Sequence, residues 1–155
     1  MAVTARASRP ARSARPVHRN PGLLALVFVG GALGTFARAA IGLAWPAEAT
    51  HLPVSTLVIN LSGAFLLGVL QETLAHLGPD RGARRAVRLC VGNGFFGGFT
   101  TYSTLAVETA TRISGGVPIL GLVYMAVTIV GGALAAWVAI GLVRVTCRAR
   151  KGGRR

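Results

Sequence analysis

The residues of this chain best equipped for chemistry fall in one stretch: Gly92-Asn93-Gly94-Phe95-Phe96-Gly97-Gly98-Phe99-Thr100-Thr101-Tyr102-Ser103-Thr104. Four glycines lie within seven residues, and each costs about 1 kcal/mol in a helix relative to alanine. Hydroxyl side chains follow at once. The pattern predicts a helix that breaks part-way along. A break frees main-chain carbonyls that can hold a small cation and N–H groups that can face an anion. The hydroxyls donate or accept, and aromatic ring edges carry partial positive charge. A competing reading is close helix packing through Gly94-xxx-Gly98.

Other polar residues stand inside apolar runs, where they are costly and therefore candidates for function. Asn60 is either a helix–helix hydrogen-bonding group or an amide donor facing a pore. Arg38 lies about seven residues before Trp45, roughly 10 Å from that end of its helix. It either snorkels outward or lines an anion-accessible vestibule. Glu108 caps a pore or pairs with Arg38 or Arg112. Tyr124 and Thr128 are one turn apart and share a helical face. Catalysis is not expected. The four carboxylates, Glu48, Glu72, Asp80 and Glu108, form no pair with each other or with a mid-run histidine. His18, His51 and His76 form no metal-binding cluster, and Cys90 and Cys147 have no metal-ligand spacing.

The elements that must position these residues are four apolar runs: Leu23 to Trp45, Leu52 to Leu77, Val87 to Val107, and Val117 to Val143. Each reaches the roughly 20 residues that span a bilayer core as a helix. Hydrophobic residues make up 52% of the 155-residue chain and charged residues 14%, too few charges for a surface that faces water throughout. The expected fold is an all-α integral membrane protein with four transmembrane helices, the third broken mid-membrane. Residues 1–22 read as a disordered Arg-rich cytoplasmic tail, 23–143 as the transmembrane domain and 144–155 as a basic cytoplasmic tail. A signal peptide is disfavoured, because the first run is long, contains Arg38 and has no evident cleavage site.

The net charge of +13 invites a nucleic-acid reading, but its placement argues against one. Fifteen of the seventeen Lys and Arg residues lie in the N-tail (Arg6 to Arg19), the loop around Arg81 to Arg88, and the C-tail (Arg144 to Arg155). Only Arg112 lies on the other side, with Arg38 inside the first run. Cationic loops stay cytoplasmic, so both termini are expected in the cytoplasm; the membrane is expected to be a bacterial inner membrane.

Three stretches resemble the CrcB/Fluc family of fluoride-specific channels: Gly30-Gly31-Ala32-Leu33-Gly34-Thr35-Phe36-Ala37-Arg38, then Thr56 through Gly68 around Asn60, and Gly94 through Thr104 with Glu108 following. The likeness covers roughly residues 23 to 143. It implies a dimer of antiparallel subunits with paired narrow pores and passive fluoride export. It implies a structural, untransported sodium ion held by main-chain oxygens at positions matching Gly97 and Thr100. It also implies a fluoride path lined by Asn60, by Tyr102, Ser103 and Thr104, and by Thr128 of the last helix, with Arg38 and Glu108 as vestibule or structural polar groups. Fluoride is strongly hydrated, so a path needs donors that replace its water without trapping it.

One departure stands out. Where the family places two phenylalanines three residues apart, this chain has Tyr102 and Leu105. The lopsided cation distribution also fixes a single orientation, whereas an antiparallel homodimer needs one sequence to insert both ways. Pairing with a paralogous, oppositely oriented subunit is therefore expected. Two other classes compete. A small multidrug-type transporter needs a carboxylate deep in its first helix, and this chain has Arg38 there instead. A non-conducting membrane scaffold subunit predicts that Asn60 and Tyr102 are dispensable.

Overall fold

The computed structural model describes residues 20–46 and 51–152. Most of the expected N-terminal tail, residues 1–19, lies outside the described residues. So do residues 47–50 and 153–155.

Helix α1, Pro21–Ala44, starts where local chemistry dictates. Asn20 Oδ1 accepts from the Gly22 and Leu23 amides at 3.1 and 3.3 Å, and Pro21 occupies the first helical position, where its missing N–H costs nothing. The helix ends at Trp45, before Pro46. Helix α2, Val54–His76, ends at the Gly78-Pro79 turn, where Gly78 has φ +114°. The last helix, α6, runs from Pro118 to Gly152. At 1.5 Å per residue it is roughly 52 Å long, well beyond the ~30 Å of a bilayer core. These three helices are long and apolar enough to cross a membrane.

The remaining run is assembled from pieces. Helix α3, Ala83–Val87, leads into a π-helix over Arg88–Phe96, then one α-turn, α4, Gly97–Phe99. The chain breaks at Thr100 and Thr101, both extended (φ −74°, ψ 154°; φ −147°, ψ 124°), and resumes as α5, Tyr102–Ser114. The break therefore falls after the glycines, at the start of the hydroxyl run. The glycines themselves stay helical, and all but Gly97 serve packing. A Cβ on Gly30 would sit 2.0 Å from the Cys90 carbonyl oxygen, and one on Gly34 2.0 Å from that of Phe95. From the other side, a Cβ on Gly98 would sit 2.4 Å from the Gly31 carbonyl oxygen. Main chains of α1 and the π-helix thus touch directly, which only glycine permits. The sequence offered close packing and a break as alternatives; the structure has both, seven residues apart at most.

Helix α2 packs along α6, and α5 closes against α6. The buried apolar set is small: Ile59, Leu89, Phe96, Leu105, Tyr124 and Ala139. Large apolar side chains such as Phe28, Phe36, Leu43 and Trp137 face outward. An apolar exterior this extensive marks a surface meant for lipid or another chain.

Candidate functional site

The break is held by one side chain. Asn60, on α2, lies opposite Thr101. Its Nδ2 donates to the Thr101 carbonyl at 3.0 Å, and its Oδ1 accepts from the Thr101 N–H at 2.8 Å. In an unbroken helix that N–H would donate to Gly97. The amide thus substitutes for the lost helical bonds of both main-chain polar groups of one residue, as buried main-chain groups require.

Thr101 makes a second substitution. Its hydroxyl accepts from the Thr104 N–H at 3.1 Å, capping α5. That N–H would otherwise meet the Thr100 carbonyl. Among the described residues, neither Gly97 O nor Thr100 O then has a hydrogen-bond donor. Gly97 is exposed, and a Cβ built there meets nothing within 4 Å. These two carbonyls suit a hard monovalent cation, so the residues named for sodium fit such a group. The Gly98 carbonyl is spoken for: Arg38 Nε donates to it at 3.1 Å. No cluster of three or more His, Cys, Asp or Glu exists among the described residues.

Two hollows flank the break, and Thr101 lines both. One, of about 290 Å³, is lined by Asn60, Thr100, Tyr102, Leu105 and Thr128, among others. The other, of about 250 Å³, is lined by Arg38, Ser55, Thr56, Thr104 and Glu108, among others. The expected site residues therefore divide. Asn60, Tyr102 and Thr128 share the first hollow; Arg38, Thr104 and Glu108 share the second. Ser103 lines neither and lies exposed, its hydroxyl 3.3 Å from that of Thr101. Tyr102 is 74% exposed, whereas Leu105 is buried at 3%. Thr128 donates to the carbonyl of Tyr124 at 2.8 Å, a back-bond within its own helix.

Glu108 joins three helices. Oε1 accepts from the Thr56 hydroxyl of α2 at 3.0 Å, and Oε2 accepts from the Tyr124 hydroxyl of α6 at 2.6 Å. Arg112 donates to the Glu108 main-chain carbonyl at 2.8 Å and to the His51 carbonyl at 2.9 and 2.6 Å. It is only 2% exposed and lies 5.8 Å from the Tyr124 ring centroid.

Sequence reasoning missed the importance of Thr101 as pivot and of Thr56 and Tyr124 as the partners of Glu108. A threonine just before a helix start is a capping signal, so Thr101 was findable. The Glu108 partners, 52 and 16 positions away, were not.

Long apolar helices around an interrupted polar one, its break pinned from a neighbouring helix, define a helical membrane protein built to handle ions. Comparison with known proteins narrows this. Residues 25–140 match the family described as "CrcB-like protein, Camphor Resistance (CrcB)", and the chain belongs to that family. It is 54% identical over 126 residues to "Fluoride-specific ion channel FluC 1" of Cutibacterium acnes (strain DSM 16379 / KPA171202), covering 81% of this chain and 88% of the relative. It is 49% identical over 144 residues to "Fluoride-specific ion channel FluC 2" of Leifsonia xyli subsp. xyli (strain CTCB07), covering 88% and 94%. A "Fluoride-specific ion channel FluC 1" of Mycobacterium tuberculosis (strain CDC 1551 / Oshkosh) is 40% identical over 121 residues, covering 78% and 89%.

Proposed function

We propose that this chain is a subunit of a fluoride-selective channel that lets fluoride leave the cytoplasm passively. The carrying observation is the Asn60–Thr101 pairing, which opens the helix between two hollows lined by hydrogen-bond donors. Family membership and the names of the relatives support the same reading.

The third run, Ala83 to Ser114, is read as a membrane span interrupted at Thr100 and Thr101, giving four spans in all. Fluoride must exchange its water for donors at each step. Asn60 Nδ2 carries a second proton beyond the one given to Thr101. The Thr104 hydroxyl accepts from Thr101 Oγ1 at 3.0 Å, which leaves its own proton to donate. The outward ring of Tyr102 offers a polarised edge. Arg38 offers positive charge in the second hollow, while its bond to Gly98 limits how deeply it can hold an anion. Gly97 and Thr100 are the residues that would hold a structural sodium ion; when bound, it supplies a fixed positive charge and a bridge between chains. Two carbonyls from one chain make a partial shell, which supports a dimer completing it from a second subunit.

The partner is read as an oppositely inserted family member, because the cation distribution orients this chain one way. Buried Leu105 stands where a ring is expected, so the path beside it is the weaker of the pair or depends on the partner. The same charge rule supports both termini being cytoplasmic, and we read the membrane as the bacterial inner membrane.

The test is fluoride efflux from liposomes holding this chain, alone and with candidate partner chains, with chloride as control. Fluoride is expected to pass and chloride to be retained. If no combination moves fluoride faster than empty vesicles, the reading fails. Equal populations of both orientations for the chain expressed alone, with full conduction, would remove the heterodimer.

A further inference from the structure

Among the described residues, Arg81, Arg84, Arg85, Arg88, Arg144 and Arg148 stand at the end of the bundle where α2 finishes, with two acids, Glu72 and Asp80. Both acids are already taken. Arg144 Nε donates to Glu72 at 2.8 Å, and Arg88 Nε donates to Asp80 at 3.0 Å. Among the described residues, the other arginines at this end have no carboxylate partner.

Part of this excess converges on a cleft of about 190 Å³ at the end of α2, lined by Gln71, Leu74, Ala75, Asp80, Arg84 and Arg88, with Gly78 at its edge. Arg84 is fixed there, donating to the Leu77 and Pro79 carbonyls at 2.6 and 3.1 Å. Its guanidinium lies across Gly78. Arg85 is near enough to add its field to that of Arg88 on Asp80. The Arg85 Nε is buried, with no hydrogen-bond partner among the described residues. Arg84 and Arg88 thus line the cleft with Asp80, which Arg88 pairs with directly, and neighbouring Arg85 has an unused buried donor. The cleft also has an apolar wall in Leu74 and Ala75.

We propose that this cleft binds the headgroup of an anionic phospholipid of the cytoplasmic leaflet, its phosphodiester facing Arg84, Arg85 and Arg88 and an acyl chain running along Leu74 and Ala75. A soluble anion would have no use for the apolar wall. A zwitterionic lipid would bring its own cation to a site with positive charge in excess. Basic clefts between helices at the cytoplasmic boundary have this chemistry, and a guanidinium pairs with phosphate oxygens in a fixed fork. The site concerns the bilayer and is independent of which ion the protein passes.

The experiment is thermal unfolding of the purified full chain in neutral detergent, with phosphatidylglycerol, phosphatidylcholine or inorganic phosphate added. Phosphatidylglycerol is expected to raise the midpoint by at least about 3 °C, a shift typical of modest binding energy at this chain length, and the other two to leave it unchanged. Arg85→Gln should lose more than half of that shift, while Arg148→Gln, on exposed α6, should keep it. Arg85→Lys keeps the charge without the Nε donor and serves where the glutamine variant does not fold; it too should lose most of the shift. Native mass spectrometry of the wild type should show retained phosphatidylglycerol in preference to phosphatidylcholine. Equal stabilisation by inorganic phosphate, an unaltered shift in the Arg85 variants, or no lipid preference would each overturn the assignment. Fluoride efflux is not part of the readout, so this proposal can fail while the channel reading stands.

Discussion

Asn60 pairs with both main-chain polar groups of Thr101, 2.8 Å from its nitrogen and 3.0 Å from its carbonyl oxygen, from a helix 41 positions earlier in the chain. The side-chain amide copies the pattern of a main-chain partner, so extended Thr101 sits among helices with its own N–H and carbonyl satisfied, while the Thr100 carbonyl stays free. This contact frees the Gly97 carbonyl, and the Thr101 hydroxyl, by capping the Thr104 N–H, frees that of Thr100.

Removing the amide should therefore cost more than one hydrogen bond. Asn60→Ala leaves the Thr101 N–H and carbonyl without partners, a loss of about 1–3 kcal/mol for each buried group that water cannot reach. The expected outcome is a clearly lowered unfolding midpoint and loss of fluoride efflux. A variant that melts like wild type and conducts normally would show that the amide does not hold the break.

Gly34 tests the packing of α1 on the π-helix. Gly34→Ala puts a methyl 2.0 Å from the Phe95 carbonyl oxygen, so the main chains must separate. Overpacking of this kind costs typically about 1–3 kcal/mol. Gly42→Ala and Gly141→Ala meet nothing within 4 Å and should be neutral or slightly stabilising, since alanine favours the helix. Thermal unfolding of the three variants side by side checks the contrast.

Glu108 holds α2, α5 and α6 together through its two carboxylate oxygens. Glu108→Ala strands the Thr56 and Tyr124 hydroxyls and should lower stability by about 1–3 kcal/mol. Glu108→Gln keeps an acceptor for one hydroxyl and should cost roughly half as much. The same unfolding assay resolves the order wild type, Gln, Ala. Equal midpoints for all three would dismiss the three-helix tie.

The loop offers a pH test. The hydrogen bond and charge of Arg88 hold the Asp80 carboxyl below the ordinary carboxylate range. A lowered folded-state pKa gives stability that is complete above the unfolded value near 3.9 and is lost as pH falls through the lower, folded value. The midpoint difference between wild type and Asp80→Asn should thus be constant from pH 7 to about pH 5 and shrink below about pH 4. A difference that already vanishes between pH 7 and pH 5 would contradict the pairing.

The sequence by itself determined the apolar runs, the charge asymmetry and the existence of an interruption in the third run, while α1 begins at Pro21, inside the stretch read as tail. Those features depend on neighbours within one turn or on composition, so local chemistry writes them directly. Tertiary structure alone decided which peptide the interruption exposes, because its place is set by a side chain on another helix. It also decided that Glu108 is tied to Thr56 and Tyr124 and not simply to a nearby arginine. The π-helix over Arg88–Phe96 was equally illegible; its main chain lies directly against Gly30 and Gly34 of α1. Contacts between distant segments form only once the helices have a register to share, and no spacing within a single run encodes that register.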